Sequence, residues 1–307
     1  MVKYNYKGDA KMKYLSVSEA AKKISVSERS IRNYCQTGKI SGAILEGNSW
    51  KIPEDFKKPE RKKRNTAIPT KFIDRLKFER KEKIKNSIYH KLQIDFTYNS
   101  NHIEGSRLSH EQTQYIFKTN TIGVSDEVIN VDDVIETSNH FACIDYIIDS
   151  YNYKLNESYI KKLHFLLKQG TSDSRKSWFR VGDYKLLENE VGGQETAKPE
   201  EVETKIKNLI KNYENKDNIG LEDIIEFHYN FEKIHPFQDG NGRVGRLIMF
   251  KECIKHDIIP FIIEEDLKLY YYRGLHNWNE EKGYLLDTCG LAQDRFKQIL
   301  DYYKLKI

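Results

Sequence analysis

Residues 235–246 read HPFQDGNGRVGR, placing a base, a carboxylate, a glycine-rich turn and two guanidiniums in one short segment. His235 is the side chain there that can take a proton near neutral pH. Asp239-Gly240-Asn241-Gly242 can adopt positive φ and turn consecutive backbone N–H groups toward one point, which makes an anion nest. If a helix opens where that loop ends, its free amides and its dipole strengthen the nest. Arg243 and Arg246 lie three apart, on one side of such a helix, and both can reach one polyanion. Asp239 would repel a phosphate unless a divalent cation lay between them, and magnesium held by one carboxylate plus substrate phosphates meets that demand. Scattered along the chain, these residues would be an ordinary turn and a structural histidine. Compressed as they are, they argue for chemistry on a phosphate-bearing substrate.

Two helices must hold them. The run 221–234 (LEDIIEFHYNFEKI) places Leu221, Ile224, Ile225, Phe231 and Ile234 at the three-to-four spacing of a buried helical face. Pro236 disfavours helical geometry in the residue before it, so this helix is expected to end near His235. Apolar spacing resumes at Val244, Leu247, Ile248 and Cys253, predicting a second helix that starts at about Gly242 or Arg243.

At every defining position the loop matches H-x-F-x-[D/E]-G-N-G-[R/K]-x-x-R, and through it the chain resembles the Fic (filamentation induced by cAMP) domain family. The resemblance implies a mainly α fold whose members commonly move AMP from ATP onto a protein hydroxyl, with ATP and Mg2+ as cofactors. It implies that His235 is the general base toward a Ser, Thr or Tyr hydroxyl, that Asp239 is the magnesium ligand, and that Phe237 anchors the loop. Asn241 and the Gly240 and Gly242 backbone would cradle the α- and β-phosphates. Arg243 would clamp the transferred end, and Arg246 would partner the γ-phosphate. Family members that remove AMP, or transfer another phosphate-linked group, leave the direction and the group open.

Within 97–106 (TYNSNHIEGS), Ser100-x-x-x-Glu104-Gly105 is similar to the family's inhibitory motif, placed ahead of the catalytic loop. The resemblance implies a helix near 98–106 that presents Glu104 to Arg246 in the γ-phosphate's place. One arginine fork can bind either a carboxylate or a phosphate. After an apolar-periodic run at 155–168, glycines at 170, 182, 192 and 193 punctuate short β-like pieces until helical periodicity returns past Pro199. The stretch near 178–194 resembles the family's flap, a β-hairpin that holds a target segment by strand pairing. Downstream, Tyr271, Tyr272, Leu275 and Asn279 look like the family's adenine-side helix, with Tyr272 and Asn279 as nucleotide contacts; Trp278 stands where many relatives carry a small residue.

The N-terminus reads as a separate unit. Ser16-x-x-Glu19 and Ser25-x-x-Glu28 are capping-box patterns, predicting short helices at 17–24 and 27–36 with a tight turn between. Gly38 then ends the second helix, and KISGAILEGNSWKIP predicts a hairpin turning at Glu46-Gly47-Asn48, with Trp50 and Ile52 returning to the core. Residues 14–56 resemble the small winged helix-turn-helix of excisionase and MerR-type regulators. That resemblance places Ser27, Arg29, Ser30, Arg32 and Asn33 toward DNA and Lys39 near the wing.

The chain of 307 residues has room for one large helical domain and one small one. Its formal charge of +5 is too modest to require nucleic acid, and much of the excess sits in the basic run 57–65. Cys35, Cys143, Cys253 and Cys289 lack paired ligand spacing and fall in apolar segments, predicting buried free thiols in a reducing compartment. No stretch approaches the roughly eighteen apolar residues of a membrane span. With no apolar leader core either, a cytoplasmic chain with no membrane partner is expected. The expected organisation is a winged helix-turn-helix over 1–56, a basic linker over 57–65, and a Fic-type helical domain over 66–307. The last is completed by helices in 66–96 and 107–150, the latter with an apolar face that includes Val128 and Val131. Expected partners are a protein substrate and DNA through 14–56, with self-modification and a homodimer left open. A reading from a different class is a transcriptional regulator that senses nucleotide rather than spending it.

Overall fold

The computed structural model describes residues 13–59, 67–123, 128–191 and 194–307. The chain divides into two units, Met1–Ala67 and Ile68–Ile307. Most of the basic run, residues 60–65, lies outside the described residues.

In the smaller unit the elements are β1 (Tyr14–Leu15), α1 (Val17–Lys23), α2 (Glu28–Gln36), β2 (Ile44–Glu46) and β3 (Ser49–Pro53). Ser16 and Glu19 form the expected capping box on α1. The box expected from Ser25 does not form. Ser25 stands at φ 52° in the turn between the helices, and Ser27 caps α2 instead, its hydroxyl accepting the Ser30 N–H at 3.2 Å. Only the residue abutting the first turn can reach that turn's free amides. The hairpin closes through Gly47, which adopts φ +60°, and β3 lies between β1 and β2, antiparallel to both. Ile31, Cys35, Ile40 and Ile52 form its core, and Trp50 is only half-buried against it. Of the side chains expected to face DNA, Ser27 and Ser30 bond each other and Arg32 pairs with Glu28 at 2.8 Å, while Arg29, Asn33 and Lys39 are exposed.

In the larger unit the order is α3 (Phe72–Glu82), α4 (Ile88–Ile103), α5 (His110–Thr119), α6 (Val131–Ser150), α7 (Glu157–Lys168), β4 (Glu190–Val191), β5 (Gln194–Glu195), α8 (Pro199–Glu214), α9 (Leu221–Ile234), α10 (Asn241–Lys255), α11 (Lys268–His276) and α12 (Gly283–Tyr302). One helix organises the rest: α10 is buried from Asn241 to Ile254, with α4, α6, α7 and α9 packed around it. A helix buried on every side must pair whatever charge it carries. Lys251 and Glu252 accordingly bond each other, and Glu252 accepts the Tyr213 hydroxyl at 3.1 Å. Phe96, Ile144, Leu163, Ile225, Phe231 and Leu247 meet in one core. Two residues read as part of an apolar face are solvent-facing instead, Val128 at 98% and Val131 at 68% exposure, because α6 begins only at Val131. Among the described residues no helix is long and apolar enough to cross a membrane.

The core also holds imidazoles. His140, His164 and His228 are buried, and burial pushes each down to about 3. As pH falls through the unfolded value near 6.5, the unfolded chain takes up protons that the folded chain refuses. Glu232 works the other way, pushed up to about 8 by burial and then by the Glu104 carboxylate. With His235 also pushed down, to about 4, the balance near pH 5.5 leaves the unfolded chain about three protons richer, so unfolding free energy should drop by roughly 4 kcal/mol per unit fall in pH. Urea unfolding at a series of pH values between 7 and 5 checks this, and a flat profile would contradict the neutral buried histidines.

Candidate active site

The loop between α9 and α10 is held by its own residues. His235 closes α9 at φ 51°, ψ 64°, a left-handed residue that turns the chain ahead of Pro236. Phe237 is fully buried, its ring stacked on His164 at 3.9 Å between centroids. The Asn241 side chain clamps the same residue from the other end, accepting the Phe237 N–H and donating to its carbonyl, both at 2.8 Å. The Asn241 side chain thus closes the loop, each bond to Phe237 using one donor or one acceptor site of its amide. Helix α10 starts at Asn241, a residue or two earlier than expected, because Gly240 absorbs the turn at φ 83°.

His235 sits there as a neutral base. Burial pushes its imidazole down to about 4, with the Lys185 ammonium acting the same way and the Glu232 backbone opposing it.

α4, six helices before α10 in sequence, ends on the site. Arg246 donates from Nε to the Ser100 hydroxyl at 3.1 Å and from Nη2 to the Ser100 carbonyl at 2.8 Å and Glu104 Oε1 at 2.7 Å. Glu104 reaches the first turn of α10: a Cβ on Gly242 would lie 2.2 Å from Glu104 Oε1. No residue but glycine leaves room for that carboxylate at the helix start.

The expected flap is smaller than its span near 178–194. Its paired strands are two residues each, Glu190 opposite Glu195 and Val191 opposite Gln194, and Gly192 and Gly193 lie outside the described residues. The segment before it is tied to the loop rather than paired as strand: Lys185 N–H donates to the Pro236 carbonyl at 2.9 Å, and Asn189 Nδ2 to the Phe237 carbonyl at 3.1 Å. Loop carbonyls that no helix satisfies must find donors elsewhere, and this segment supplies them.

The adenine-side expectation divides. Tyr272 is 40% exposed and donates to the Ile103 carbonyl at 3.2 Å, beside Glu104. Tyr271 is core, its hydroxyl 2.6 Å from His228 Nε2. Asn279 lies past the end of α11, exposed and without a hydrogen bond among the described residues, so nothing brings it to the loop.

Residues 154–253, which include the loop, the flap and α7, match the Fic/DOC family, and residues 14–55 match a helix-turn-helix domain family. Residues 154–253 make up a Fic/DOC domain. The chain is similar to Protein adenylyltransferase Fic of Culex quinquefasciatus, 25% identical over 270 residues, covering 78% of this chain and 50% of that protein. The corresponding protein of Aedes aegypti is 26% identical over 226 residues, 68% of this chain and 41% of the relative. The chain thus spans half or less of the length of these relatives. Among solved structures, a Fic domain containing signaling protein from Bacteroides thetaiotaomicron is 25% identical with a TM-score of 0.56, covering 76% of this chain and 91% of that one. Fic-1 of C. elegans, 17% identical with a TM-score of 0.59 over 76% of this chain and 72% of its own, shares the fold.

Two charged residues beside the loop, Glu136 and Lys168, had no signal in the sequence. Glu136 on α6 takes Arg243 Nη1 on one oxygen and Lys168 Nζ on the other. Lys168 also bonds Asp239 Oδ2 at 2.5 Å, and Arg243 Nη2 lies 3.2 Å from the same atom. Burial alone would raise the Asp239 carboxyl, and the Lys168 ammonium outweighs it, holding it below the usual range. A nucleotide would answer unmet needs here: Arg243 Nε and Arg246 Nη1 are buried donors with no partner among the described residues, and phosphate oxygens would satisfy both. Among the described residues no cluster of three or more His, Cys, Asp or Glu could cage a metal. Asp239 is instead a single carboxylate at the mouth of an anion nest, which fits a cation shared with phosphates.

Proposed function

We propose that this chain is a Mg2+-dependent protein adenylyltransferase that moves AMP from ATP to a Ser, Thr or Tyr hydroxyl of a protein and is held off by its own Glu104. The observation that carries the reading is Glu104 bonded to Arg246 at 2.7 Å across the start of α10, beside a neutral His235. His235 takes the proton of the acceptor hydroxyl as its oxygen attacks the α-phosphorus, and pyrophosphate leaves on the opposite side. The α10 amides, Arg243 and Arg246 hold the phosphates so that charge developing on the transferred group meets fixed donors. Asp239 would hold the magnesium ion, whose part is to neutralise phosphate charge and orient the leaving group. The match of residues 154–253 to the Fic/DOC family and the adenylyltransferase relatives support this chemistry.

The test is product mass. With ATP and Mg2+, the chain or a co-incubated protein should gain AMP on a hydroxyl residue. Loss of AMP from a premodified protein would favour the reverse reaction, and a different added mass would favour another phosphate-linked group. The match of residues 14–55 to a helix-turn-helix domain supports a second reading, a DNA-bound regulator whose Fic site senses nucleotide. Gel shifts of the full chain on its own upstream DNA at two salt concentrations discriminate. Sequence-selective binding that persists at the higher salt favours the regulator, whereas binding lost with modest salt reflects only general attraction to phosphate.

A further inference from the structure

Asp239 does not stand alone in its pocket. Lys168, the last residue of α7, is 2% exposed and presents Nζ to Asp239 Oδ2 at 2.5 Å and to Glu136 Oε1. Glu136, 8% exposed, turns its other oxygen to Arg243 Nη1, and Arg243 Nη2 returns to Asp239 Oδ2 at 3.2 Å. The four side chains close a ring of two cations and two anions. Asp239 is its open member, with a side chain 46% exposed against 2% for Lys168, 7% for Arg243 and 11% for Glu136. A buried ammonium on one oxygen of a carboxylate repels any second cation that the carboxylate would take.

We infer that Lys168 competes with the divalent cation for Asp239, and that Glu136 limits the competition by giving both Lys168 and Arg243 another carboxylate to hold. The inference rests on the reading of Asp239 as the metal residue. Glu136 is placed for this role by its two oxygens, one for each cation. When a divalent ion occupies Asp239, Lys168 retains Glu136 Oε1, and Arg243 is free to turn toward phosphate without leaving a buried anion bare. Lys168 and Glu136 are thus positioning residues that set how much cation the site demands. Their effects on metal affinity have opposite signs, which a purely structural ion ring would not produce.

The experiment measures metal rather than turnover. Mn2+ is titrated into Glu104→Gly protein saturated with α,β-methylene-ATP, and free Mn2+ is read by electron paramagnetic resonance; separate fluorescence titrations follow the nucleotide analogue. Lys168→Met should tighten Mn2+ by about tenfold, since it removes a cation from the site, and Glu136→Gln should weaken it by a similar factor. Lys168→Gln, which keeps a polar contact to both carboxylates, should tighten it as well and serves if the methionine variant fails to fold. Asp239→Asn should abolish the site. Weaker binding in the Lys168 variants, or affinities unchanged while Asp239→Asn loses the metal, overturns this inference and leaves the proposed function standing. If the analogue binds but Mn2+ affinity ignores Asp239→Asn, the metal reading of Asp239 fails, and this inference with it.

Discussion

His235→Ala in a Glu104→Gly background is expected to lower AMP transfer by about 10²- to 10⁴-fold, the usual contribution of a positioned general base. Nucleotide binding should be retained, because the phosphate-facing groups belong to α10 and to the loop after Pro236. The loop is held by Phe237 and Asn241 rather than by the imidazole. Far-ultraviolet circular dichroism and melting should therefore be close to those of the parent. The pH profile adds a second check. Burial and the Lys185 charge push His235 down to about 4, so the base is in its neutral form throughout the physiological range. The acid limb of kcat/KM should lie well below the ordinary histidine value of about 6.5. Transfer that survives the alanine substitution, or an acid limb near 6.5 belonging to His235, would require a different base.

Glu104→Gly alone is expected to raise AMP transfer more than tenfold, a gain of more than ~1.4 kcal/mol in transition-state stabilisation. The carboxylate holds Arg246 Nη2 at 2.7 Å and lies against Gly242, so one side chain occupies both an arginine donor and the positive end of α10. Removing it returns both to a phosphate. Arg246→Ala should not reproduce the gain, because the inhibitor's anchor and a phosphate contact are lost together. The double variant should stay near the Arg246→Ala level, the non-additive pattern of two residues acting as one unit. Rates measured at saturating ATP and Mg2+ with a validated acceptor decide the matter. An unchanged rate for Glu104→Gly returns that residue to the role of a structural partner of Arg246.

Local spacing made the helix–loop–helix legible. The period of apolar residues in 221–234, with Pro236 after it, predicted a helix ending near His235, and α9 runs Leu221–Ile234 with His235 as its cap. The glycines at 240 and 242 marked a turn, but only Gly240 takes positive φ; Gly242 lies in the first turn of α10, where its missing Cβ leaves room for Glu104. Where the local reading slipped, a neighbour competed for the same group. Ser25 was displaced as a cap by Ser27, which stands closer to the free amides of α2. Asn241, read as part of a phosphate cradle, also bonds Phe237 across four residues through its side chain. The segment before β4 joins the loop between α9 and α10 by side chain and backbone rather than by extended strand pairing.

What the sequence determined by itself was local placement within one helical turn or one loop: an imidazole, a glycine turn and two arginines three residues apart, which follows from residue spacing alone. What only the tertiary structure decided was which distant charge meets which. Glu136 reaches Arg243 across 107 residues and Lys168 reaches Asp239 across 71, pairings on which neither periodicity nor motif bears. The Glu104–Arg246 contact spans 142 residues and was foreseen only through resemblance to a family. The reason is physical. Backbone geometry fixes neighbours three and four apart on a helix, whereas a charge buried in a core takes whichever opposite charge the packing of other helices brings within reach, because leaving it unpaired costs too much.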